Sequence, residues 1–419
     1  MTTVVPDGAD VEGPIVRSYL AILRLPGALA FCATGFLIRL GGSMSTIATI
    51  LMVSSLYGSY GLAGALVAAS SASWAVGSAF LAHLADRFGQ RRVMLPSVLV
   101  SSGLLLLLVV LAWRHVPAWV LFIPQILCGF TSISIPAVIK ARWAFVTQGL
   151  DQFQSALSLE STLDEITYVV GPLLATAISL GVAPVAAPAA VALTSMAGAL
   201  LLHLQRRTEP EPGFGRQESG EKASGFLPAI PGTALVIASI AVIAIGLGGV
   251  SVTMTAATEA WGVPGTVGIA LGLMSLGSAC GGFAYGARHW TSPLARRYLV
   301  IALILAAGVS AYLLAGGPVT LSACAFVAGA AMAPTMINAN ALMRGLVPAA
   351  RLTEGLAWVG TSVGLGFAAG AALAGQLIDR SGYRAGFWMI VTAVWVGALV
   401  VLGSVRVLSA RLAARAESG

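Results

Sequence analysis

A charged turn reads Ala82-His83-Leu84-Ala85-Asp86-Arg87-Phe88-Gly89-Gln90-Arg91-Arg92. It joins two apolar segments, residues 61–84 and 93–113, and its first three residues belong to the first of them. Each segment has about the 20 residues that an α-helix needs to cross a lipid bilayer. Similar segments recur along the whole sequence with short polar turns between them. This pattern predicts an all-α protein that crosses a membrane many times.

The composition excludes several other classes of protein. Of the 419 residues, 58% are apolar and 9% are charged, whereas soluble domains carry about 25% charged residues. The mean hydropathy is +0.91. A soluble enzyme and a disordered chain are therefore excluded. The long runs of Leu, Ala and Gly also differ from the alternating strands, about 10 residues long, of a membrane β-barrel.

We predict twelve membrane spans in two groups of six. The one long polar interruption, residues 205–228, has the composition of a flexible linker. The expected organisation is an N-terminal cytoplasmic segment (1–27), a six-helix bundle (28–204), the linker, a second six-helix bundle (229–408) and a cytoplasmic tail (409–419). The predicted spans are 28–53, 61–84, 93–113, 118–138, 156–180, 182–204, 229–257, 263–286, 297–316, 318–340, 354–378 and 385–408.

The basic residues indicate the orientation of these spans. The chain has 23 Lys and Arg against 16 Asp and Glu. With the N-terminus in the cytoplasm, the external turns hold only Arg114, Arg380 and Arg384, one arginine (Arg39) lies within a span, and all the others are cytoplasmic. Because cytoplasmic turns are rich in Lys and Arg, both termini are expected on the cytoplasmic side of the plasma (inner) membrane. The same bias explains the basic charge without a nucleic-acid partner.

The turn at 82–92 resembles the G-x-L-x-D-R-x-G-R-R/K signature of the major facilitator superfamily. Ala82 replaces the first glycine and Gln90 replaces one basic residue. The resemblance implies a fold of two six-helix bundles, each built from inverted 3+3 repeats, around a central cavity that alternates its opening. A related string follows the eleventh span and reads Gly375-Gln376-Leu377-Ile378-Asp379-Arg380-Ser381-Gly382-Tyr383-Arg384.

The resemblance also assigns a role to the first turn. The residues of this turn that match the signature are implied to form a gate on the cytoplasmic side, where the two bundles meet. Ion pairs in such a gate break when the bundles rock apart, so they stabilise one state of the transporter. The gate residues implied are Asp86, Arg87, Gly89, Arg91 and Arg92.

The fifth span contains three carboxylates in an otherwise apolar helix. Each charge of this kind costs a few kcal/mol on insertion scales. Glu160 and Asp164 are four residues apart and share a face, whereas Glu165 points elsewhere. Glu160 either reaches the cytoplasmic interface or stays in the membrane, and Asp164 and Glu165 lie about 12–14 Å inside the span at 1.5 Å per residue.

Arg39 is the one cation deep inside a span, about 17 Å from the start of the first span. Because its depth matches that of Asp164 and Glu165, we predict an ion pair with one of them. The pair either locks the N-terminal bundle or takes part in coupling, with a carboxylate exchanging its arginine for a proton or a cationic substrate. Burial and a neighbouring arginine act in opposite directions on carboxyl protonation, and this competition produces a titratable switch.

Gly171 and Pro172 in the fifth span indicate a kink or a close helix contact, since proline removes a backbone hydrogen bond and glycine admits a neighbouring helix. The step resembles the antiporter motif G-x-x-x-G-P-x-x-G-G of superfamily exporters, although other residues replace three of the glycines. Together with Ile139-Lys140-Ala141-Arg142-Trp143, the pattern resembles actinobacterial-type efflux permeases. Pro136 and Pro334 indicate corresponding kinks in the fourth and tenth spans.

Three polar side chains in other spans are candidates for lining a cavity: Gln125, Asn338 and Trp358. Packing or interhelical hydrogen bonding is the alternative for each. Gln125 stands where many superfamily exporters have an arginine, which argues against a direct transfer of their coupling scheme. The scattered His and Cys residues have no metal-ligand spacing, and neither lysine follows a glycine as a P-loop requires. We expect no catalytic residue, no metal and no cofactor.

The leading hypothesis is a secondary active transporter: a proton-coupled exporter (antiporter) of small amphipathic compounds that works by alternating access and uses the proton gradient as its energy source. One alternative is a proton-coupled nutrient or sugar permease of the same fold. Another is a membrane sensor that transports nothing. The expected partners are the small-molecule substrate and the lipid bilayer, and the superfamily resemblance implies a monomer.

Overall fold

The computed structural model describes residues 14–210, 232–288, 290–348 and 351–418, and these ranges are all-α. Within them, twelve helical segments are long and apolar enough to cross a membrane. The predicted fold class is therefore confirmed.

Six of the spans lie before residue 205. Their fourth span is divided into α5 and α6 at residues 131–134, next to Pro136, and α1 precedes the first span, where the sequence predicted no helix. The helices are α1 (Pro14–Leu23), α2 (Ala28–Tyr57), α3 (Tyr60–Phe88), α4 (Gln90–Trp113), α5 (Ala118–Phe130), α6 (Ile135–Val146), α7 (Leu150–Gly181) and α8 (Ala186–Leu204).

The other six spans lie after residue 232. The seventh span is divided between α9 and α10, and the tenth between α13 and α14 just before Pro334. The last helix continues past the predicted end of its span at residue 408. The helices are α9 (Thr233–Gly248), α10 (Val250–Ala260), α11 (Val267–Gly286), α12 (Leu294–Ser310), α13 (Pro318–Gly329), α14 (Met332–Leu346), α15 (Leu352–Ser381) and α16 (Tyr383–Ser418).

The predicted linker is described only at its start. Residues 205–210 contain a short 3₁₀ turn, Arg206–Thr208, and residues 211–231 lie outside the described ranges. The domain boundaries at 205 and 228 therefore stay predictions.

The two groups of helices meet where small residues allow close approach. A Cβ atom on Gly64 of α3 would lie 2.1 Å from the carbonyl oxygen of Ala371 in α15. A Cβ atom on Gly268 of α11 would lie 2.8 Å from the carbonyl oxygen of Pro172 in α7. Inside a bilayer, helices associate largely through such close packing. Both contacts lie in the part of each helix that the charge distribution places away from the cytoplasm.

Candidate functional site: a buried charge cluster between the first and fifth spans

Arg39 of α2 has a buried side chain, 5% exposed, that contacts two carboxylates of α7. Its Nη2 lies 2.6 Å from Oε2 of Glu160, and its Nη1 donates to Oδ1 of Asp164 at 2.8 Å. Its Nε donates to the carbonyl oxygen of Gly35 at 3.2 Å. The planar guanidinium reaches both carboxylates because residues four apart lie on one face of a helix.

Of the two ion pairs that the sequence left open for Arg39, the structure contains the one with Asp164, and it also decides between the two alternatives for Glu160. The sequence left open that Glu160 reaches the cytoplasmic interface, but its side chain is only 1% exposed. Its Oε1 accepts a hydrogen bond from Nε1 of Trp143 at 2.7 Å and lies 3.5 Å from the Cys32 thiol. Because Arg39 and Trp143 supply a cation and a hydrogen-bond donor, the Glu160 carboxylate is stabilised inside the bundle without contact with water at the membrane interface.

Asp164 differs from Glu160 in its access to the surroundings. The Asp164 side chain is 30% exposed, whereas Glu160 is almost completely covered. With both carboxylates ionised, the cluster of Arg39, Glu160 and Asp164 carries one net negative charge. Asp164 is thus the member of the cluster that a proton or a solute can reach from outside it.

Glu165 belongs to a different face of α7. It lies four and seven residues before Val169 and Pro172, whose carbonyl groups face Gly272 and Gly268 of α11. The helical repeat therefore places Glu165 about one turn beyond the last of these contacts, on the side that faces the second bundle. It is half-buried, and no Lys or Arg in the described ranges forms an ion pair with it.

The Gly171-Pro172 step brings α7 against α2. A Cβ atom on Gly171 would lie 2.1 Å from Oγ of Ser43, so only glycine fits at this crossing. The helix continues through Pro172 from Leu150 to Gly181. Of the two predicted effects, the structure contains the close helix contact, and this contact sets the spacing between the helices that carry Arg39 and Asp164.

The turn between α3 and α4 contacts two residues that the sequence analysis did not single out, Glu209 and His203. Gly89 has a φ of 92° and ends α3. The backbone N–H of Arg91 donates to Oε1 of Glu209 at 2.9 Å, and Nη2 of Arg91 lies 3.0 Å from Nε2 of His203. The carboxylate of Glu209 thus sits at the N-terminus of α4, where the helix dipole favours an anion.

The remaining gate residues are only partly described. Arg87 is exposed and its guanidinium carbon lies 5.2 Å from the centre of the Phe88 ring. Arg92 is exposed and borders a surface cavity of about 530 Å³. The side chain of Asp86 lies outside the described residues, so the predicted gate contact of Asp86 stays a prediction.

Arg142 is fully buried beside this turn, although the sequence counted it among the cytoplasmic surface charges. Its guanidinium donates to Oε1 of Gln90 at 3.3 Å, to the carbonyl oxygen of Gln205 at 3.1 Å and to Oγ1 of Thr208 at 3.0 Å. Arginine is favoured at a helix C-terminus because it satisfies free carbonyl groups there. Arg142 therefore fastens the start of the linker to the first bundle.

The three candidate cavity residues have different surroundings. Asn338 is fully buried; its Oδ1 accepts from the Tyr285 hydroxyl at 2.9 Å and its Nδ2 donates to the carbonyl oxygen of Pro334 at 2.8 Å. Asn338 thus joins α11 to α14 through these hydrogen bonds, and its cavity-lining role stays a prediction. Gln125 is buried in α5, and Trp358 is half-buried in α15.

Comparison with known proteins agrees with the helix arrangement. A sequence model of the Major Facilitator Superfamily matches residues 31–235 and 236–417. No curated protein sequence matches this chain. A point mutant of the nucleoside transporter NupG is similar with a TM-score of 0.70 and 14% identity, covering 90% of this chain and 98% of its own.

Two other solved structures are similar over comparable lengths. A bacterial homologue of the iron transporter ferroportin, in an inward-facing state, has a TM-score of 0.68 and 15% identity, covering 92% of this chain and 99% of its own. The peptide transporter POT in complex with sulfate has a TM-score of 0.64 and 16% identity, with coverage of 92% and 96%. At these identities the likeness concerns the fold alone.

Proposed function

Because the chain belongs to the major facilitator superfamily and is a multi-pass membrane transporter, not an enzyme, we propose that it is a proton-coupled exporter of small amphipathic compounds. In this proposal it is a secondary active antiporter that works by alternating access. It needs no cofactor and uses the proton gradient as its energy source. It acts as a monomer in the plasma (inner) membrane, with both termini in the cytoplasm.

The observation that carries the proposal is the shared arginine. Arg39 holds Glu160 and Asp164 at the same time, at 2.6 and 2.8 Å. When Asp164 takes up a proton, Arg39 keeps Glu160 as its counter-ion, so no unpaired cation is left in the membrane. The net charge of the cluster then changes from −1 to zero, which lowers the cost of burying it.

The two carboxylates have separate roles in this mechanism. Glu160 anchors Arg39, because it is covered and also accepts a hydrogen bond from Trp143. Asp164 is the exchange site, because its side chain is the more exposed of the two. A proton and a cationic group of a substrate compete for Asp164, and this competition links the export of the substrate to the entry of a proton.

Glu165 adds a third acidic group of α7, on the side of the helix that faces α11. In the proposal it attracts the cationic part of an amphipathic substrate towards the seam between the bundles. The apolar surroundings accept the rest of the molecule. The partial antiporter motif at Gly171-Pro172 and the resemblance to actinobacterial-type efflux permeases support export over uptake.

The test is transport by the purified full chain in proteoliposomes with an imposed pH gradient. An amphipathic cationic dye such as ethidium serves as the probe. We expect the dye to move against the direction of proton flow. Asp164→Asn is expected to abolish gradient-driven accumulation and to keep dye exchange at equal pH, while Ser161→Ala, an exposed position on the same helix, serves as the matched control.

Each other result points to an alternative. Accumulation in the same direction as proton flow supports the nutrient or sugar permease. Absence of flux for every compound in a broad panel supports the membrane sensor. If Asp164→Asn and Glu165→Gln both keep full gradient-driven transport, the coupling role of these carboxylates is wrong.

A further inference from the structure

The turn at the end of α15 repeats the turn at the end of α3. Both strings have the order Leu-x-Asp-Arg-x-Gly-x-Arg, at 84–91 and at 377–384. Gly89 and Gly382 have φ values of 92° and 76°, and their N–H groups donate to the carbonyl groups four residues earlier at 2.9 and 2.8 Å. In each case the next helix begins with the following residue. The two strings are thus one structural motif, present once in each bundle.

These two turns lie at opposite ends of one helix pair. In α3 and α15, Gly64 faces Ala371, and a Cβ atom on Gly375 would lie 2.2 Å from the carbonyl oxygen of Tyr60. The beginning of α3 therefore lies beside the end of α15, and the two helices are antiparallel. The string at 377–384 is placed at the end where the two bundles touch, which the charge distribution assigns to the outside.

At this end the carboxylate of Asp379 caps a helix of the other bundle. Oδ1 accepts a hydrogen bond from the backbone N–H of Tyr60 at 2.8 Å, and Oδ2 accepts from the N–H of Gly61 at 2.8 Å. Oδ2 also accepts from the Ser59 hydroxyl at 2.6 Å. The first N–H groups of a helix have no acceptor within the helix. Here a residue 319 positions away in the chain supplies one.

A second contact strengthens the same end. The Tyr60 hydroxyl donates to a carboxylate oxygen of Glu259 at the end of α10. One turn of α3 is thereby tied to two helices of the second bundle, through an acidic side chain in each. The helix N-terminus carries partial positive charge, so carboxylates are the groups that it binds best.

We propose that Asp379 is a gating residue of the transport cycle: its carboxylate latches the two bundles together at this end and leaves the first turn of α3 before the end opens. Opening leaves Tyr60, Gly61 and Asp379 without their mutual hydrogen bonds. The latch therefore favours the state in which this end is closed. The proposal rests on the proposed alternating-access transport, but its test reads conformation and needs no substrate.

The test measures the distance between the bundles at this end by electron paramagnetic resonance of spin labels. Labels are attached through Val182→Cys, between α7 and α8, and Leu314→Cys, at the end of the 3₁₀ turn that follows α12, both of them exposed positions. The four native cysteines (Cys32, Cys128, Cys280 and Cys324) are first replaced by alanine. The labelled full chain is measured in proteoliposomes.

Removal of the carboxylate is expected to open this end. Asp379→Ala should raise the ratio of long to short distances by about tenfold, the effect of losing charge-assisted hydrogen bonds. Asp379→Asn, which keeps the shape of the side chain, should move the ratio in the same direction by less. Gln376→Ala, an exposed position one turn earlier, is the matched control and should leave the distances unchanged.

A further variant separates the latch from simple helix capping. Ser59→Asp combined with Asp379→Ala supplies an N-cap carboxylate from the residue directly before α3, within the first bundle. The latch predicts a folded protein that stays open at this end. The proposal is overturned if this double variant closes again, if Asp379→Ala leaves the distances unchanged, or if Gln376→Ala opens the end equally.

Discussion

Arg39 and Asp164 are 125 positions apart in the chain, and a hydrogen bond of 2.8 Å between their side chains joins the first span to the fifth. Glu160, one turn before Asp164, completes the cluster from the same helix. The chain thus places an arginine with two carboxylates in an apolar bundle, where every unpaired charge is expensive. In the proposed mechanism, stability and proton coupling depend on the same few atoms, and mutations there should affect both.

Replacement of Arg39 should destabilise the first bundle strongly. Arg39→Ala leaves the buried Glu160 without its cation, and loss of one partner from a buried ion pair costs about 3–5 kcal/mol. Arg39→Lys should lower the stability by a smaller amount, because an ammonium group keeps the charge but lacks the planar fork that reaches both carboxylates. The midpoint of thermal unfolding in detergent measures the effect. Equal midpoints for the wild type and Arg39→Ala would contradict the structural importance of the cluster.

Trp143 should contribute through its indole N–H. Trp143→Phe keeps a ring beside Phe31, whose centre lies 4.6 Å away, and removes the hydrogen bond to Glu160. Loss of a donor to a buried charged group costs about 1–3 kcal/mol. The free energy of unfolding in denaturant measures the loss. Trp113→Phe at an exposed position is the control and should change the stability by less than about 0.5 kcal/mol.

The crossing of α2 and α7 should tolerate only glycine at position 171. Gly171→Ala places a methyl group against Ser43 and forces the helices apart, which overpacking data suggest costs about 1–3 kcal/mol. Ser43→Gly in the same chain should restore part of the lost stability. Gly181→Ala on the same helix meets no atom within 4 Å and is the control. Additive losses in the double variant, measured by thermal unfolding, would show that the two residues do not share this contact.

The contact between α3 and α15 should respond to a single methyl group. Gly375→Ala places a Cβ atom against the Tyr60 carbonyl, so we expect the bundles to separate at this end. The spin-label distance between positions 182 and 314 should lengthen in a larger share of molecules. Gly360→Ala lies on the same helix and meets no atom within 4 Å. If both variants give the same distances as the wild type, the closure of this end does not depend on the close approach.

The sequence predicted those features that depend on distance along the helix axis. The apolar lengths predicted twelve spans, and the matched depths predicted a contact of Arg39 with either Asp164 or Glu165, because depth follows from the rise of 1.5 Å per residue. Pro136 and Pro334 predicted the irregular fourth and tenth spans. No proline lies at the break between α9 and α10, which falls at Gly248-Gly249, and the sequence analysis predicted no break there.

Rotation of the helices about their axes was decided by packing. Glu160 had two interpretations in the sequence, and only the position of Trp143 in α6 and Arg39 in α2 shows that it is buried. The polarity of Asn338 agrees with a cavity-lining residue and with an interhelical hydrogen bond alike, and only the structure shows that its Oδ1 accepts a hydrogen bond from the Tyr285 hydroxyl of α11. The direction in which such a side chain points is set by the close packing of neighbouring helices. The sequence of one apolar helix does not specify this packing.

The sequence by itself determined that this is a membrane protein with twelve spans, that a few charges stay in the membrane, and which of them share a depth. Because unpaired charges and unpaired backbone groups are costly in lipid, a chain of this composition must form membrane-spanning helices with few charges inside them. The tertiary structure alone decided that Arg39 holds two carboxylates and that Asp379 caps a helix of the other bundle. Those contacts join residues far apart in the chain, and they depend on how closely small residues let the helices approach.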